Sequence, residues 1–263
     1  MAHYRTLFIS DLHLGARGAQ AERVLAFLRA NTCDRLFLVG DVIDFWALSR
    51  KSFFPQAHRD VLAHIWKLAA AGTPVTYLVG NHDEALRHFI PVSLPGLTIL
   101  DEAVFVTATG KRYLVVHGDR FDNVMENARW LAYIGDVAYT LALRANAFVN
   151  GVRRHLGLKR WSFSAFLKRR VKSAVNFISS FEETLAKAAA DLQCDGVICG
   201  HIHTAEDRQI GTTHYLNTGD WVESCTALAE TVDGTLSVVH FDETSMPSAR
   251  ARAAVILPQR RAA

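Results

Sequence analysis

Short apolar runs rich in Val, Ile, Leu and Phe recur along the chain, with loops or helical patterns between them. Runs that are apolar without alternation are typical of strands covered on both faces, as in an α/β sheet. We predict five such strands, over residues 6–10, 35–39, 74–79, 113–116 and 196–199.

Apolar residues spaced three and four apart predict helices between the first three strands. One stripe runs through residues 19–31, where Val24 and Leu28 lie on it, and a second runs through residues 56–71. Residues 97–110 and 214–241 carry β-branched residues without a helical stripe, so we predict antiparallel strand pairs there. The elements together predict a mixed β-sandwich of the α/β (α+β) class.

The pattern changes between residues 121 and 192, where long helical segments are rich in Ala, Leu, Arg and Lys. We predict that residues 121–192 are a helical cap inserted into a core formed by residues 1–120 and 193–242. Residues 243–263 contain two prolines and Ala/Arg clusters, which predicts an irregular C-terminal tail.

Half of the 263 residues are hydrophobic and 21% are charged, which excludes disordered and collagen-like classes. A membrane-spanning helix is not expected, because the most apolar long window, residues 131–149, contains Asp136 and Arg144. No cleaved leader is expected, since the first strand leads directly into candidate ligands. Four cysteines without a C-x-x-C pair indicate reduced, mostly buried thiols. We therefore expect a cytoplasmic protein.

The charge distribution is uneven, although the net charge is only +3. No acidic residue lies between Asp136 and Glu182, and that gap holds nine basic residues, so the rest of the chain carries a net charge of −6. An acidic body with a basic, apolar-rich segment suggests one part that binds cations and another that meets an anionic surface or substrate.

A residue type that binds metals follows each predicted strand, in most cases beside a glycine. Ligands collect beyond the carboxyl ends of strands in α/β sheets, so these five clusters are expected to converge on one site. A single such histidine is more typical of a core or surface position, but five clusters in order favour a metal site. The clusters are Asp11-Leu12-His13, Gly40-Asp41, Gly80-Asn81-His82-Asp83, His117-Gly118-Asp119 and Gly200-His201-Ile202-His203.

The residue types predict two divalent cations that share a bridge. Asp41 can span both ions with its two oxygens. Mixed oxygen and imidazole ligands with one neutral amide suit manganese, iron or zinc better than calcium. One sphere is predicted from Asp11, His13 and His203, and the other from Asn81, His117 and His201.

Together these motifs resemble the signature of calcineurin-like metallophosphoesterases, over about 200 residues and in the same order. The resemblance implies a double-layer sandwich of mixed β-sheets flanked by helices. It also implies a dinuclear centre, with Mn²⁺ as the preferred ion, that hydrolyses phosphate esters or anhydrides. In such a centre His82 is predicted to donate a proton to the leaving oxygen or to stabilise the charge that develops there, with Asp83 orienting its imidazole.

Within that superfamily the chain is most similar to the UDP-2,3-diacylglucosamine diphosphatases of lipid A synthesis, which release lipid X and UMP. The likeness rests on Asp44-Phe45-Trp46, on His117-Gly118-Asp119 followed by Asp122, and on the helical insertion. It departs at His82, where those enzymes carry Arg, and at Ser49-Arg50-Lys51, where they carry an acidic pair. The substrate contacts that the resemblance implies are Asn81, His82, Asp122, Arg169, Lys172 and His201.

The insertion favours a lipid substrate independently, because aromatic and aliphatic residues accompany its basic ones. A basic amphipathic helix can dock on an anionic membrane while its apolar face holds acyl chains. We therefore expect peripheral binding at the inner face of the cytoplasmic membrane. Ordinary helix packing with a solvated charged face is the alternative. No nucleic acid is expected, because the aromatic residues have helical spacing, and no obligate protein partner is implied.

Two other functions stay open from the residues alone. The chain could act on another phospholipid, lipid-linked or nucleotide phosphodiester or diphosphate. It could also be a catalytically silent interaction scaffold, which predicts eroded ligands, whereas all seven metal ligands are present here.

Overall fold

A computed structural model describes residues 2–121 and 178–242 of the chain. The chain divides into two compact units, Met1–Asp119 with Ala186–Ala263, and Arg120–Leu185. Two β-sheets belong to the first unit. In the second unit, residues 178–185 are helical. That residues 121–192 form a cap remains a prediction.

The larger sheet has seven strands in the order β12-β11-β1-β2-β3-β5-β4. Strands β1, β2, β3 and β5 run parallel to one another, and the remaining pairs are antiparallel. The bounds are β1 Ala2–Ile9, β2 Asn31–Val39, β3 Val75–Leu78, β4 Val92–Leu94, β5 Leu97–Leu100, β11 Thr226–Glu230 and β12 Leu236–His240.

The smaller sheet has five strands in the order β6-β7-β8-β10-β9. Its three central strands, β7, β8 and β10, are parallel, and both edge strands are antiparallel to their neighbours. The bounds are β6 Glu102–Val106, β7 Arg112–Val116, β8 Gly196–Cys199, β9 Glu206–Ile210 and β10 Thr213–Asn217.

Helix α1 (Ala21–Ala30) follows β1, and helices α2 (Phe45–Arg50) and α3 (Gln56–Ala70) follow β2. Val24 and Leu28 are buried on α1, as the stripe in the sequence predicts. Helix α2 begins after Asp44, whose carboxylate accepts the backbone N–H of Ala47 at 2.7 Å and so caps the helix. This short helix is absent from the sequence prediction.

The core has two apolar layers, which explains why the strands read as continuous apolar runs. Along β1, Leu7 and Ile9 pack in the layer that contains helices α1 and α3, whereas Phe8 packs in the layer between the sheets. The Phe8 ring stacks on Phe37 with centroids 4.9 Å apart and meets Phe105 edge-on at 5.0 Å. Both faces of the strand are therefore buried.

The predicted fold class is confirmed, since two mixed sheets are flanked by helices. The antiparallel pair predicted within residues 97–110 is wrong in one respect, because β5 and β6 lie in different sheets and do not pair with each other. Only Asp101 separates them, which is too short for a hairpin loop. The chain therefore passes from one sheet to the other at this residue.

Among the described residues no helix is long and apolar enough to cross a membrane. The four cysteines are free thiols, and three of them are buried, as predicted. The tail predicted at 243–263 lies outside the described residues, as does most of the predicted insertion.

Candidate metal centre

Loops after strands β1, β2, β3, β7 and β8 bring carboxylates and imidazoles together. Their ligand atoms form three overlapping groups, and within each group all the atoms lie within 4.8 Å of one another. Asp11, His13 and Asp41 each belong to two groups, so the groups form one continuous cluster. The groups are Asp11 with His13 and His203, Asp11 with Asp41 and His117, and His13 with Asp41 and His82.

Asp11 is fully buried, and its two oxygens have different surroundings. Oδ2 accepts the Ser10 hydroxyl and the backbone N–H of His201, the latter at 3.1 Å. Oδ1 lies 3.1 Å from His203 Nε2, but the angle is too poor for a hydrogen bond. Burial alone would raise the pKa of this carboxyl group, but the imidazoles of His13 and His203 hold it well below its usual range.

Asp41 is also fully buried and lies between two sets of histidines. Its Oδ1 accepts the backbone N–H of His82 at 2.8 Å and lies 3.4 Å from His117 Nε2. Its Oδ2 lies 3.8 Å from His13 Nε2 and has no hydrogen-bond partner within the described chain. Burial raises the pKa of Asp41, but the His117 imidazole outweighs this and lowers it. The Asp41 carboxylate thus presents one oxygen to His117 and the other to His13.

Two imidazoles on the Asp11 side converge on one point. His13 Nε2 lies 3.2 Å from His203 Nε2, and the ring centroids are 5.1 Å apart. Both nitrogens lie within 3.8 Å of Asp11 Oδ1. Imidazole nitrogens and a carboxylate oxygen aimed at one place are the donors of a transition-metal site.

The tautomer of His117 is set by the backbone. Its Nδ1–H donates to the carbonyl oxygen of Val39 at 2.8 Å, which leaves the Nε2 lone pair beside Asp41. A backbone carbonyl that fixes the distal nitrogen in this way is typical of metal-binding histidines. Without metal, burial lowers the pKa of His117, but the carboxylate of Asp41 outweighs this and raises it to about 10.

Asn81 and His201, the two other predicted ligands, are buried at the same edge of the sheets. The His201 ring lies edge-on to His117 with centroids 5.1 Å apart. His201 is not in any of the three groups, although its backbone N–H binds Asp11. Six of the predicted ligands, the aspartates and the histidines, therefore lie in one network of contacts, and Asn81 is buried in the loop after β3.

Five of the predicted ligands have a left-handed backbone, in which φ is positive. Left-handed φ values are uncommon for residues other than glycine, and they cluster at functional sites where the surroundings enforce them. The φ values are 53° for Asp11, 47° for His13, 52° for Asp41, 71° for His201 and 57° for His203. Five ligands in this conformation therefore mark these loops as a candidate functional site.

Two glycines beside the ligands leave space that a side chain would fill. A Cβ atom at Gly40, where φ is +82°, would overlap the His117 ring. A Cβ atom at Gly80 would overlap the carboxylate of Asp41. The Gly-Asp and Gly-Asn pairs of the sequence are therefore needed for close packing around the ligands.

His82 lies against Asp44, to which the sequence analysis assigns no chemical role. His82 Nδ1 is 3.0 Å from Asp44 Oδ1, although the angle is too poor for a hydrogen bond. The other oxygen, Asp44 Oδ2, is 3.3 Å from His13 Nδ1. The half-exposed ring of Trp46 packs on His82 with centroids 4.3 Å apart. An acidic residue three positions after Asp41 is the signal in the sequence for this contact.

Asp83 has different partners from those predicted. Its carboxylate, fully buried, accepts the backbone N–H groups of Val42 at 2.9 Å and Gly80 at 2.6 Å. It also accepts the hydroxyl of Tyr77 at 2.5 Å. Asp83 thus joins the loop of Asp41 to the loop of Asn81, and Asp44 occupies the place beside the imidazole of His82 that we predicted for Asp83.

Three predicted substrate contacts, Asp122, Arg169 and Lys172, lie outside the described residues. Their roles remain predictions.

The described residues fit a pair of divalent cations. Asp11 Oδ1 and Asp41 Oδ2 are buried oxygens without a hydrogen-bond partner among the described residues, and both face imidazole nitrogens. An unsatisfied buried carboxylate oxygen is costly in the absence of a cation. Carboxylate and imidazole donors without thiolate suit manganese, iron or zinc.

Comparisons with known proteins agree with this chemistry. The sequence profile of the family "Calcineurin-like phosphoesterase" matches residues 4–205. A UDP-2,3-diacylglucosamine hydrolase of Xanthomonas axonopodis is 29% identical over 252 residues, which are 87% of this chain and 96% of that protein.

A UDP-2,3-diacylglucosamine hydrolase of Vibrio vulnificus is 33% identical over 118 residues, 43% of this chain. The match spans 47% of that relative, about half its length. The solved structure of YfcE, a phosphoesterase from E. coli, is 16% identical with a TM-score of 0.42, covering 90% of this chain and 99% of that one.

Proposed function

This chain belongs to the calcineurin-like phosphoesterase family and is a metal-dependent hydrolase, and from this premise we propose that it cleaves the pyrophosphate of UDP-2,3-diacylglucosamine. The products would be lipid X and UMP. Metal loading would use two divalent ions, with Mn²⁺ preferred over iron or zinc.

The observation that carries the proposal is the position of Asp41. Its two oxygens face different imidazoles, with His117 near Oδ1 and His13 near Oδ2. Asp11 and His203 would complete the first metal sphere, and Asn81 and His201 the second. When bound, the two cations would supply Lewis acidity at the phosphoryl oxygens and an activated water for attack on phosphorus.

The described residues also supply a candidate proton donor. We assign to His82 Nε2 the donation of a proton to the leaving oxygen, because His82 is held between Asp44 and the Trp46 ring. Asp44 acts on the other ring nitrogen and fixes the ring orientation. Asp83 holds the two ligand loops together and acts as a positioning residue.

The choice of substrate is supported by the relatives and by the sequence of the insertion. Two matched relatives carry the name UDP-2,3-diacylglucosamine hydrolase. Residues 121–192 combine basic residues with aromatic and aliphatic ones, which suits an amphipathic substrate with phosphates and acyl chains. Within that segment Asp122, Arg169 and Lys172 would contact the headgroup, beside Asn81, His82 and His201 of the core.

Turnover of purified, Mn²⁺-loaded protein tests the proposal. UDP-2,3-diacylglucosamine, UDP-glucosamine without acyl chains, and bis(p-nitrophenyl) phosphate are compared, with Asp41→Asn as the inactive control. We expect the acylated substrate to have the highest kcat/KM and to release UMP. Equal or higher kcat/KM for the substrates without acyl chains would contradict the proposal and favour another phosphodiester or diphosphate.

Acyl-chain length tests the lipid part separately. Each buried methylene contributes about 0.8 kcal/mol, so four would tighten binding by more than about a hundredfold. Lys172→Ala should raise KM for the acylated substrate and leave hydrolysis of bis(p-nitrophenyl) phosphate nearly unchanged. Identical kcat/KM values for short-chain and long-chain substrates would contradict the lipid assignment.

A further inference from the structure

A second site lies beside the metal-ligand loops and is not used by the proposed reaction. It is a cavity of about 580 Å³ between the start of α1 and the start of α3. Its wall contains Arg17, Gln20, Glu22, Arg23, Phe53 and His58. We call it the Arg17 cavity. Its volume lies within the range of small-molecule sites, about 300–1,000 Å³.

Arg17 is available to a ligand in this cavity. Its exposed guanidinium lies over the ring of Phe53 with 5.0 Å between the central carbon and the ring centroid. Within the described ranges it makes no ion pair or hydrogen bond. A guanidinium that lies over an aromatic ring without an ion pair or hydrogen bond keeps its N–H donors for an anion.

His58 supplies a second polar group to the cavity wall. The side chain is only 4% exposed, and its Nδ1 accepts the backbone N–H of Gly15 at 2.9 Å. The hydrogen of the neutral ring is therefore on Nε2. Among the residues that the structure describes, this N–H makes no hydrogen bond, and it is not one of the fully buried unsatisfied atoms, so it is open to the cavity that His58 lines.

The other residues of the cavity wall also favour the binding of an anion. Helix α1 begins at Ala21, and its N-cap residue Gln20 makes no side-chain cap, so the positive end of the helix dipole lies at the cavity. Arg23 contributes a second guanidinium, against one carboxylate, that of Glu22. The apolar surface of Phe53 supplies a flat face for an organic group.

The cavity is linked to the metal centre through the backbone. Arg17 follows His13 by four residues, which limits their Cα separation to about 14 Å. Gln20 donates its backbone N–H to the carbonyl of Trp221 at 2.9 Å. Trp221 in turn donates its N–H to the carbonyl of Asp11 at 3.1 Å.

From this arrangement we infer that the Arg17 cavity binds an organic phosphate, whose phosphate meets Arg17 and His58 and whose body packs against Phe53. The volume exceeds that of an inorganic phosphate ion and leaves room for such a body. The phosphate could belong to the substrate or to a separate small molecule. This assignment does not depend on the proposed reaction, because binding can be measured without turnover.

Calorimetric titration of the full chain with UMP, uridine and inorganic phosphate tests the inference. It is carried out on metal-loaded protein and repeated after EDTA treatment, since phosphate binding at the metal centre should disappear with the metals. Arg17→Glu is compared with Arg29→Glu, an equal charge change at an exposed position at the other end of α1. Thermal unfolding verifies that both variants fold.

We expect UMP binding that survives EDTA, exceeds the binding of uridine and of inorganic phosphate, and weakens at least about tenfold in Arg17→Glu but not in Arg29→Glu. Absence of metal-independent UMP binding, or the same Kd in both variants, would overturn the inference. Inorganic phosphate binding as tightly as UMP would overturn the role of Phe53.

Hydrolysis of bis(p-nitrophenyl) phosphate with and without UMP then shows whether the phosphate in the cavity belongs to the substrate or to a separate small molecule. Competitive inhibition that is reduced in Arg17→Glu assigns the phosphate to the substrate. A change in kcat that is lost in Arg17→Glu assigns it to a separate molecule. No effect of UMP on turnover, in protein that binds UMP independently of metal, would overturn a link between the cavity and catalysis.

Discussion

Oδ1 of Asp44 lies 3.0 Å from Nδ1 of His82, and the same carboxylate reaches His13 through its other oxygen. Asp44→Asn keeps the size of the side chain and the capping oxygen for Ala47 but removes the charge. We expect kcat for bis(p-nitrophenyl) phosphate to fall about 10–100-fold, the usual effect of losing a partner behind a catalytic or metal-binding histidine.

The matched control is Asp60→Asn, the same acid-to-amide change at a carboxylate on α3 that accepts the side-chain N–H of Gln56 at 2.6 Å. This variant should retain wild-type kcat, because Asp60 contacts its own helix rather than a histidine of the cluster. Equal kcat values in Asp44→Asn and the wild type would contradict the role of Asp44.

If His82 transfers a proton, a variant without its imidazole should lose activity but keep its metal. His82→Ala should lower kcat by about 10²–10⁴, the scale for losing one positioned acid or base, while metal content per chain is unchanged. Metal analysis and kcat are measured on the same sample. Loss of metal together with activity would instead make His82 a ligand, as its grouping with His13 and Asp41 allows.

Asp83 is predicted to matter for stability, because three donors depend on its buried carboxylate. In Asp83→Ala the N–H groups of Val42 and Gly80 lose their acceptor, at about 1–3 kcal/mol each. We expect urea unfolding to show a loss of about 3 kcal/mol or more. Asp34→Ala, at an exposed acid, should change stability by about 0.5 kcal/mol or less.

Tyr77→Phe separates the hydroxyl from the backbone contacts of Asp83. It removes one hydrogen bond of 2.5 Å and keeps the ring, so we expect a smaller loss of about 1 kcal/mol. A loss in Asp83→Ala no greater than that in Asp34→Ala would contradict the loop-joining role.

Metal binding is predicted to release protons. In the metal-free protein burial lowers the pKa values of His13 and His117, but neighbouring carboxylates outweigh burial and raise both to about 10. Protons on these rings stabilise the metal-free fold fully below about pH 6.5, and that contribution is lost as pH rises through about 10. A cation must displace them, so metal affinity should rise with pH across this window.

Calorimetry at pH 7.5 in two buffers of different ionisation enthalpy measures the protons released on Mn²⁺ binding. We expect at least about one proton per metal-loaded chain. Affinity that is constant between pH 6.5 and 9, with no proton release, would contradict this prediction.

The positions of the metal ligands follow from the sequence because chain order and sheet geometry coincide. Each apolar run ends at a ligand, and parallel strands place their carboxyl ends at one edge of a sheet, so Asp11 and Asp41 meet. His117 joins them from β7 of the smaller sheet. The runs are recognisable as strands because both faces of β1 and β2 are buried. Leu7 and Leu36 pack in one apolar layer, and Phe8 and Phe37 pack in the other. A helix of six residues such as α2 is too short to show a repeated apolar stripe.

The partner of His82 could not be read from neighbours in the sequence. Asp83 is adjacent to His82 along the chain, but the turn directs its carboxylate to Val42, Gly80 and Tyr77. Asp44, from another loop, lies beside the imidazole instead. Which of two carboxylates meets a ring depends on how two loops pack, and spacing along one loop does not contain that information.

Asp41 tests the central claim most directly, because its two oxygens face the two halves of the cluster. Metal content by inductively coupled plasma mass spectrometry is measured with kcat for the wild type and for Asp41→Asn. We predict about two metal ions per active wild-type chain, and loss of at least one ion with most of the activity in the variant. Full activity in wild-type protein that holds one metal ion or none would contradict the claim.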